Sequence, residues 1–512
     1  MKRLTFVFLN ILFFWVSETV AQTSSLTISA SVSEAVVESF NPTGRIFLFI
    51  GKYNGREPRL NTWPGQTNFI FATNLENWKV SESFVFGDST ELVKSVDVST
   101  GAIPNGKYHI QVLWDQDTKE SGINAPGNLY SEPLLVEVDQ NLSLQLPLVK
   151  VIEPRKLAVH PLLKEVDIKS QVLSDWWGKE IRLKAAVVLP RNFYNEPNRK
   201  YAVRYNIAGY GGRYTRANHF LDYMDWWTSD DAPQILNVYL DGEGPFGDCY
   251  QLDSENSGPY GKALTQELIP YIEKEFRALA TPKSRFVEGC STGGWVSLAL
   301  QLFYPDFFGG CFSYSPDQVD FENCQLVNIY ADENTFYNEF GYLRPIVRNI
   351  SGEPVISQKD FIRFENVLGT SDTYLNSGGQ FSAFTALFSP KGENGLPRPL
   401  FDPVNGKIDH EVAEYWRKYD LNDYVEKNWK TLGPEIKGKI WAWCGDMDDF
   451  YLNPALRAFD EMLKKMDRPK SDAVILFSPM KGHCDEYNEI KVIQQIAEKF
   501  NGKSIKTSGD NR

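Results

Sequence analysis

Histidine is scarce in this sequence, with five in 512 residues: His109, His160, His219, His410 and His483. Cysteine is missing from the first 248 residues. All six stand later, at Cys249, Cys290, Cys311, Cys324, Cys444 and Cys484, and no two have the spacing of a zinc finger or a thioredoxin-like pair. No metal site is expected on that ground. A surplus of positive charge is also lacking: the formal balance is -13, so the clustered cations that displace counterions from nucleic acid are not there. Long apolar runs are absent as well. The run from Leu4 to Val16 falls well short of the roughly 20 residues a membrane helix needs, and no later stretch is both long enough and free enough of charge. No internal repeat is present, and no low-complexity tract apart from the polar tail "NGKSIKTSGDNR".

What stands at the N-terminus reads as an export signal. Lys2 and Arg3 precede the apolar run, and Thr19 and Ala21 occupy the minus-three and minus-one places of a cleavage site. Residues 1–21 are therefore expected to be a signal peptide, with a secreted or periplasmic mature chain beginning near Gln22. No cysteine follows that site directly, which argues against a lipid anchor. Disulfides are permitted in such a compartment.

The length suggests two domains. Over residues 22–151 short strand candidates follow one another, "GRIFLFIGKY", "TNFIFATNL", "SESFVFGD" and "KYHIQVLW". In the last of these Tyr108, Ile110, Val112 and Trp114 alternate with His109 and Gln111, the period of a half-buried strand. An all-β sandwich domain is the expectation, and "VIEPRKLAVHP" reads as a linker. Over residues 152–500 compact apolar runs, "IRLKAAVVLP", "AVRYNIAG", "ILNVYLD", "SRFVEG", "GGCFSYSP", "KIWAWCG" and "AVILFSP", alternate with helical stretches such as "GKALTQELIPYIEKEFRAL". That rhythm implies a mostly parallel sheet with helices on both faces. Residues 326–438 break the alternation and read as a cap-like insertion. The polar tail 501–512 is expected to be disordered.

The chemistry centres on "FVEGCSTGGW". A strand ends at "SRFVEG", a helix starts in "WVSLALQLF", and Gly289, Gly293 and Gly294 flank Ser291, the context of a nucleophile elbow rather than of a chance Gly-x-Ser-x-Gly match. With such an elbow the triad runs serine, acid, histidine in chain order. Only His410 and His483 follow Ser291. His410 falls in the cap-like insertion, whereas His483 falls just after the last strand, so His483 is the candidate base. The acid should leave a strand between them, and Asp446, Asp448 and Asp449 all do; Asp317, one strand earlier, is the rival. An oxyanion hole needs two backbone N–H donors. Thr292 follows the nucleophile, and the glycine-rich loop of "YNIAGYGGRY" offers Tyr210 or Gly211.

On "GPFGDCYQLDSENSGPYGKALTQELIPYIE", "GCSTGGWVSLALQLFYPDFF" and "YSPDQVDF" the chain from about Lys164 onward resembles the secreted esterases of the α/β-hydrolase superfamily, close to the esterase-D and enterochelin-esterase-like enzymes. The resemblance implies an α/β hydrolase fold and a carboxylic ester hydrolase. It implies Asp448 as the acid, through a Gly-x-x-Asp-x-Phe pattern at Gly445, Asp448 and Phe450, and Tyr210 as the second donor after Ala208-Gly209. Relatives often carry His-Gly there, and this chain has Ala208. A second likeness, to the Cys-Ser, Asp, His-Cys arrangement of tannases and feruloyl esterases, implies a disulfide between Cys290 and Cys484. The expected protein is a serine esterase without cofactor, acting on a small-molecule or polysaccharide-linked ester. The same triad would serve an acyltransferase or a serine peptidase, and a non-catalytic binding protein on a hydrolase scaffold is the reading outside enzymology. Aromatic residues of "YMDWWTSDD" and "SPDQVDF" are candidates for substrate contacts.

Overall fold

The structure, a computed structural model, describes residues 23–52, 55–65, 67–117 and 119–503. The expected signal peptide and most of the polar tail lie outside the described residues. No described helix is long and apolar enough to cross a membrane.

An eight-stranded sheet organises the larger part of the chain. Its strands are β1 (Leu163–Ser170), β2 (Ile181–Val188), β3 (Val203–Ile207), β4 (Leu236–Leu240), β5 (Arg285–Cys290), β6 (Gly310–Tyr314), β7 (Ile440–Gly445) and β8 (Val474–Ser478), in the spatial order 1-2-4-3-5-6-7-8. β2 runs antiparallel to both of its neighbours, and every pairing from β4 to β8 is parallel. Odd and even residues alike are buried throughout β3, β4, β6 and β7. Both faces are therefore covered, which is why these strands show no alternation in sequence, and the polar residues within β3 and β4, Arg204, Asn206 and Asn237, are buried with the rest. The strand β1 has no such run: "LKEVDIKS" buries Leu163, Val166 and Ser170 and leaves its charges outward.

The N-terminal region is β-rich. Strands Gly44–Gly51, Asn68–Leu75 and Gly106–Asp115 form the middle of one sheet, and Leu26–Val32, paired with Phe84–Phe86 and Leu142–Leu148, forms a second. Leu26, Ile28 and Phe86 from the second sheet share a core with Ile46, Leu48, Ile110 and Trp114 from the first. The Gly106–Asp115 strand was expected to be half-buried. Its C-terminal half is buried on both faces, Gln111 and Leu113 included. The reason is a second core in which Phe47, Phe49, Ile70, Ala72 and Leu113 pack against Phe364 and Val367 of the helix Gln358–Leu368. Arg45, fully buried, reinforces that contact by donating to the Val367 carbonyl and pairing with Asp372.

The helix Gln358–Leu368 belongs to residues 326–438, which lie between the adjacent strands β6 and β7. That stretch is not without regular structure. It also holds the helices Gln380–Phe388, His410–Trp416 and Leu421–Ile436 and a hairpin of Pro345–Arg348 with Pro354–Ser357. Asp409 and Asp420 cap the last two helices, each accepting from backbone N–H groups of the first turn. The last of these helices buries Leu421, Val425, Trp429, Leu432 and Ile436, a helical period.

Candidate active site

Ser291 stands between β5 and the helix Thr292–Phe303, at φ 61° and ψ -127°. A serine in the left-handed half of the map is strained, and such strain is typical of a residue that must present its hydroxyl at a sharp strand-to-helix turn. The turn closes only because its neighbours are small. A Cβ on Gly289 or Gly293 would run into the Ile207 carbonyl of β3.

β7 delivers the acidic loop and β8 the histidine loop. Asp448 is fully buried. Its Oδ1 accepts from the N–H groups of Phe450 at 3.0 Å and Leu452 at 3.3 Å, and its Oδ2 lies 2.8 Å from His483 Nδ1. The other two carboxylates of the loop are engaged differently: Asp449 Oδ2 accepts from the His483 backbone N–H at 2.6 Å, and Asp446 pairs with Arg457. Burial pushes the His483 pKa down, but the hydrogen bond it donates to Asp448 and the charges of Asp448, Asp317 and Asp449 outweigh it, and the net shift is upward.

Asp317 faces the serine. Its Oδ1 is 3.5 Å from Ser291 Oγ, and its Oδ2 accepts from Thr292 Oγ1 at 3.0 Å and Tyr250 OH at 3.3 Å. Burial dominates its titration and raises its pKa to about 6, against the hydrogen bond from Thr292, the His483 charge and the bond from Tyr250. The hydrogen bond recorded for the Ser291 hydroxyl is thus to Asp317, not to His483.

Cys290 and Cys484 are joined by a disulfide, with Cα atoms 6.1 Å apart, and the Cys484 N–H is held by Ser315 Oγ at 3.1 Å. Cys249, Cys311, Cys324 and Cys444 are unpaired. Tyr210 follows Gly209 on the loop after β3. A Cβ built on Gly209 would sit 3.6 Å from the Cys290 carbonyl and 3.8 Å from Ser291 Cβ, so this loop touches the elbow. The Tyr210 hydroxyl donates to the Gly378 carbonyl, and Thr292 is the first residue of the helix behind the serine.

Ser291, Asp317 and His483 all line one cavity of about 620 Å³, together with Tyr210, Arg216, Phe384, Phe450, Gln325 and Trp63. Among the described residues no group of three or more His, Cys, Asp and Glu side chains is arranged to hold a metal ion. Of the aromatic candidates in the sequence, Trp227 and Phe321 are core residues, and Trp227 donates to the Leu189 carbonyl. The residue that sequence reasoning missed is Trp63, which comes from the N-terminal region. Its only local signal is the turn sequence Trp63-Pro64-Gly65.

Residues 179–320 match the family described as "Putative esterase". The matched segment includes Tyr210, Ser291, Thr292 and Asp317 and ends before Asp448 and His483. No curated protein matches the chain. Among solved structures the chain is similar to a ferulic acid esterase (17% identity, 66% of this chain and 98% of that one, TM-score 0.39). It is also similar to an S-formylglutathione hydrolase from Agrobacterium tumefaciens (14% identity, 68% and 95%, TM-score 0.37) and to a ferulic acid esterase from the anaerobic fungus Anaeromyces mucronatus (15% identity, 67% and 92%, TM-score 0.31). Likenesses this small add nothing to the geometry above.

Proposed function

We propose that this chain, a carboxylic ester hydrolase of the α/β-hydrolase type by the esterase domain it carries, is an exported serine esterase whose triad is Ser291, His483 and Asp448. The observation that carries the triad is the 2.8 Å contact of His483 Nδ1 with the fully buried Asp448, in a loop bridged by disulfide to the residue before Ser291. Such a contact fixes the imidazole tautomer with Nε2 free to act as base.

In this reading His483 Nε2 takes the Ser291 hydroxyl proton as Oγ attacks the ester carbonyl. The tetrahedral oxyanion is held by the backbone N–H groups of Thr292 and Tyr210. Collapse breaks the bond to the alcohol oxygen, which leaves with the proton from His483. Water, deprotonated by His483, then releases the acid and restores Ser291. For the first step the serine hydroxyl must turn from Asp317 toward His483.

Residues 1–21 are proposed as a cleaved export signal, and a disulfide suits the oxidising compartment beyond it. We take residues 22–151 as a β-sandwich domain, 152–500 as the hydrolase domain and 326–438 as a cap over the cavity. The substrate proposed is an acyl ester of a polysaccharide, with hydroxycinnamoyl esters as the first class to try. The test is a screen of acyl and alcohol variants with the mature protein and with Ser291→Ala. Turnover by the first and not by the second is expected, and esters untouched by either would overturn the reading.

A further inference from the structure

Among the described residues Trp63 is the one side chain of the N-terminal β region that lines the cavity holding Ser291 and His483. It is 44% exposed. Its placement is determined on two sides. Asn68, nearly buried, donates from Nδ2 to the carbonyls of Asn61 at 3.0 Å and of Trp63 itself at 2.7 Å, which clamps the loop. The ring then meets Phe361 edge-on at 5.3 Å and Phe450 at 6.0 Å.

Phe450 in turn stands edge-on to the His483 ring at 4.8 Å. Trp63, Phe450 and His483 therefore form a continuous row from the N-terminal region to the proposed base. In the mechanism above His483 hands its proton to the departing alcohol, so this row flanks the leaving-group side of the cavity. Gln325 lies on the same side, with its Nε2 3.5 Å from the Phe450 carbonyl, and it also lines the cavity.

A flat aromatic face beside an amide matches a ring with one apolar C–H face and hydroxyls at its rim. We infer that Trp63 is a specificity-determining residue that stacks on a sugar ring carrying the ester, with Gln325 meeting its hydroxyls. The N-terminal region is then part of the active site and not a separate module. Its attachment fits that role, since the buried contacts of Arg45 and of Phe47, Phe49 and Leu113 hold it against the helix Gln358–Leu368.

The inference rests on the esterase reading, and its test separates the two. Kinetics compare a feruloylated methyl pentoside with ethyl ferulate, which share an acyl group and differ in the alcohol. Trp63→Ala is expected to raise KM for the sugar ester about tenfold, the scale of one lost aromatic stacking contact with its buried area. The KM for ethyl ferulate should rise far less than that for the sugar ester, and Trp63→Phe should fall between. Because Trp63 is half-exposed and Asn68 grips backbone, both variants should fold, as circular dichroism would verify. Calorimetric titration of the same two esters into Ser291→Ala and Ser291→Ala/Trp63→Ala reads binding without turnover. A selective loss for the sugar ester is expected. Equal losses for both esters, no loss for either, or no binding of the sugar ester to Ser291→Ala would overturn the inference. Failure of the unsubstituted protein to hydrolyse either ester would overturn the esterase reading instead, and the titrations would still decide the role of Trp63.

Discussion

Cys290 and Cys484, the chain neighbours of Ser291 and His483, are joined across 194 residues of sequence. The bridge ties the elbow after β5 to the loop after β8, two strands that are not adjacent in the sheet. In the chain-entropy picture closing a loop of this length is worth about 5 kcal/mol. Its larger consequence is geometric, because a misplacement of about 1 Å between nucleophile and base can cost about a hundredfold in rate.

Reduction should therefore remove activity before it removes the fold. Under a reductant titration, ester hydrolysis is expected to fall while the far-ultraviolet circular dichroism stays native, and the Cys290→Ala/Cys484→Ala variant should behave like the reduced protein with a lower Tm. Full activity in that variant would show that the sheet alone positions the two loops.

The acid can be identified by substitution. Asp448→Asn keeps the shape of the loop but favours the wrong imidazole tautomer, with an expected loss of roughly 10⁴ in kcat. Asp446→Asn, Asp449→Asn and Asp317→Asn should each retain far more, since Asp446 pairs with Arg457, Asp449 holds a backbone N–H, and Asp317 faces the serine. If Asp317→Asn were the most damaged, the acid would be the one on the loop after β6.

The pH profile follows from His483. A base must be neutral to accept a proton, so kcat/KM should fall as the pH drops through the His483 pKa, which lies above the ordinary 6.5. The charge of Asp317 is among the causes of that rise. Asp317→Asn should move the acidic limb toward lower pH, while Asp449→Asn should do the same more weakly. An acidic limb that stays in place in both variants would remove these carboxylates from the electrostatics of the site.

Arg348 supports the acidic loop from the hairpin Pro345–Arg348. It donates from Nε to the Asp448 carbonyl at 2.9 Å and from Nη2 to the Asp446 carbonyl at 3.3 Å, with its guanidinium over the Tyr451 ring. Arg348→Ala is expected to lower kcat by about ten- to a hundredfold through misplacement of the loop, with little change in KM. A change confined to KM would instead place Arg348 in substrate binding.

Strands β4, β6 and β7 are legible in sequence because burial on both faces makes each a mostly apolar run bounded by turn residues. β1 is not, since only Leu163, Val166 and Ser170 point inward among outward charges. The elbow is legible because its glycines are forced by the Ile207 carbonyl. The acid is not legible from spacing, as three aspartates within four residues leave one turn of chain and only the fold decides which side chain faces Nδ1. Trp63 is invisible for a different reason. It stands in an irregular loop, far from Ser291 along the chain, and only the packing of the β region on Phe361 and Phe450 brings it to the cavity.

The central claim is that Ser291 is the nucleophile, and covalent labelling reads it directly. Incubating the mature protein with a fluorophosphonate and mapping the modified peptide by mass spectrometry should place a single adduct on Ser291, with loss of fluoride and of ester hydrolysis in step, and none on Ser291→Ala. An unlabelled Ser291 in protein that hydrolyses esters, or an adduct on another residue that tracks inactivation, would contradict the account.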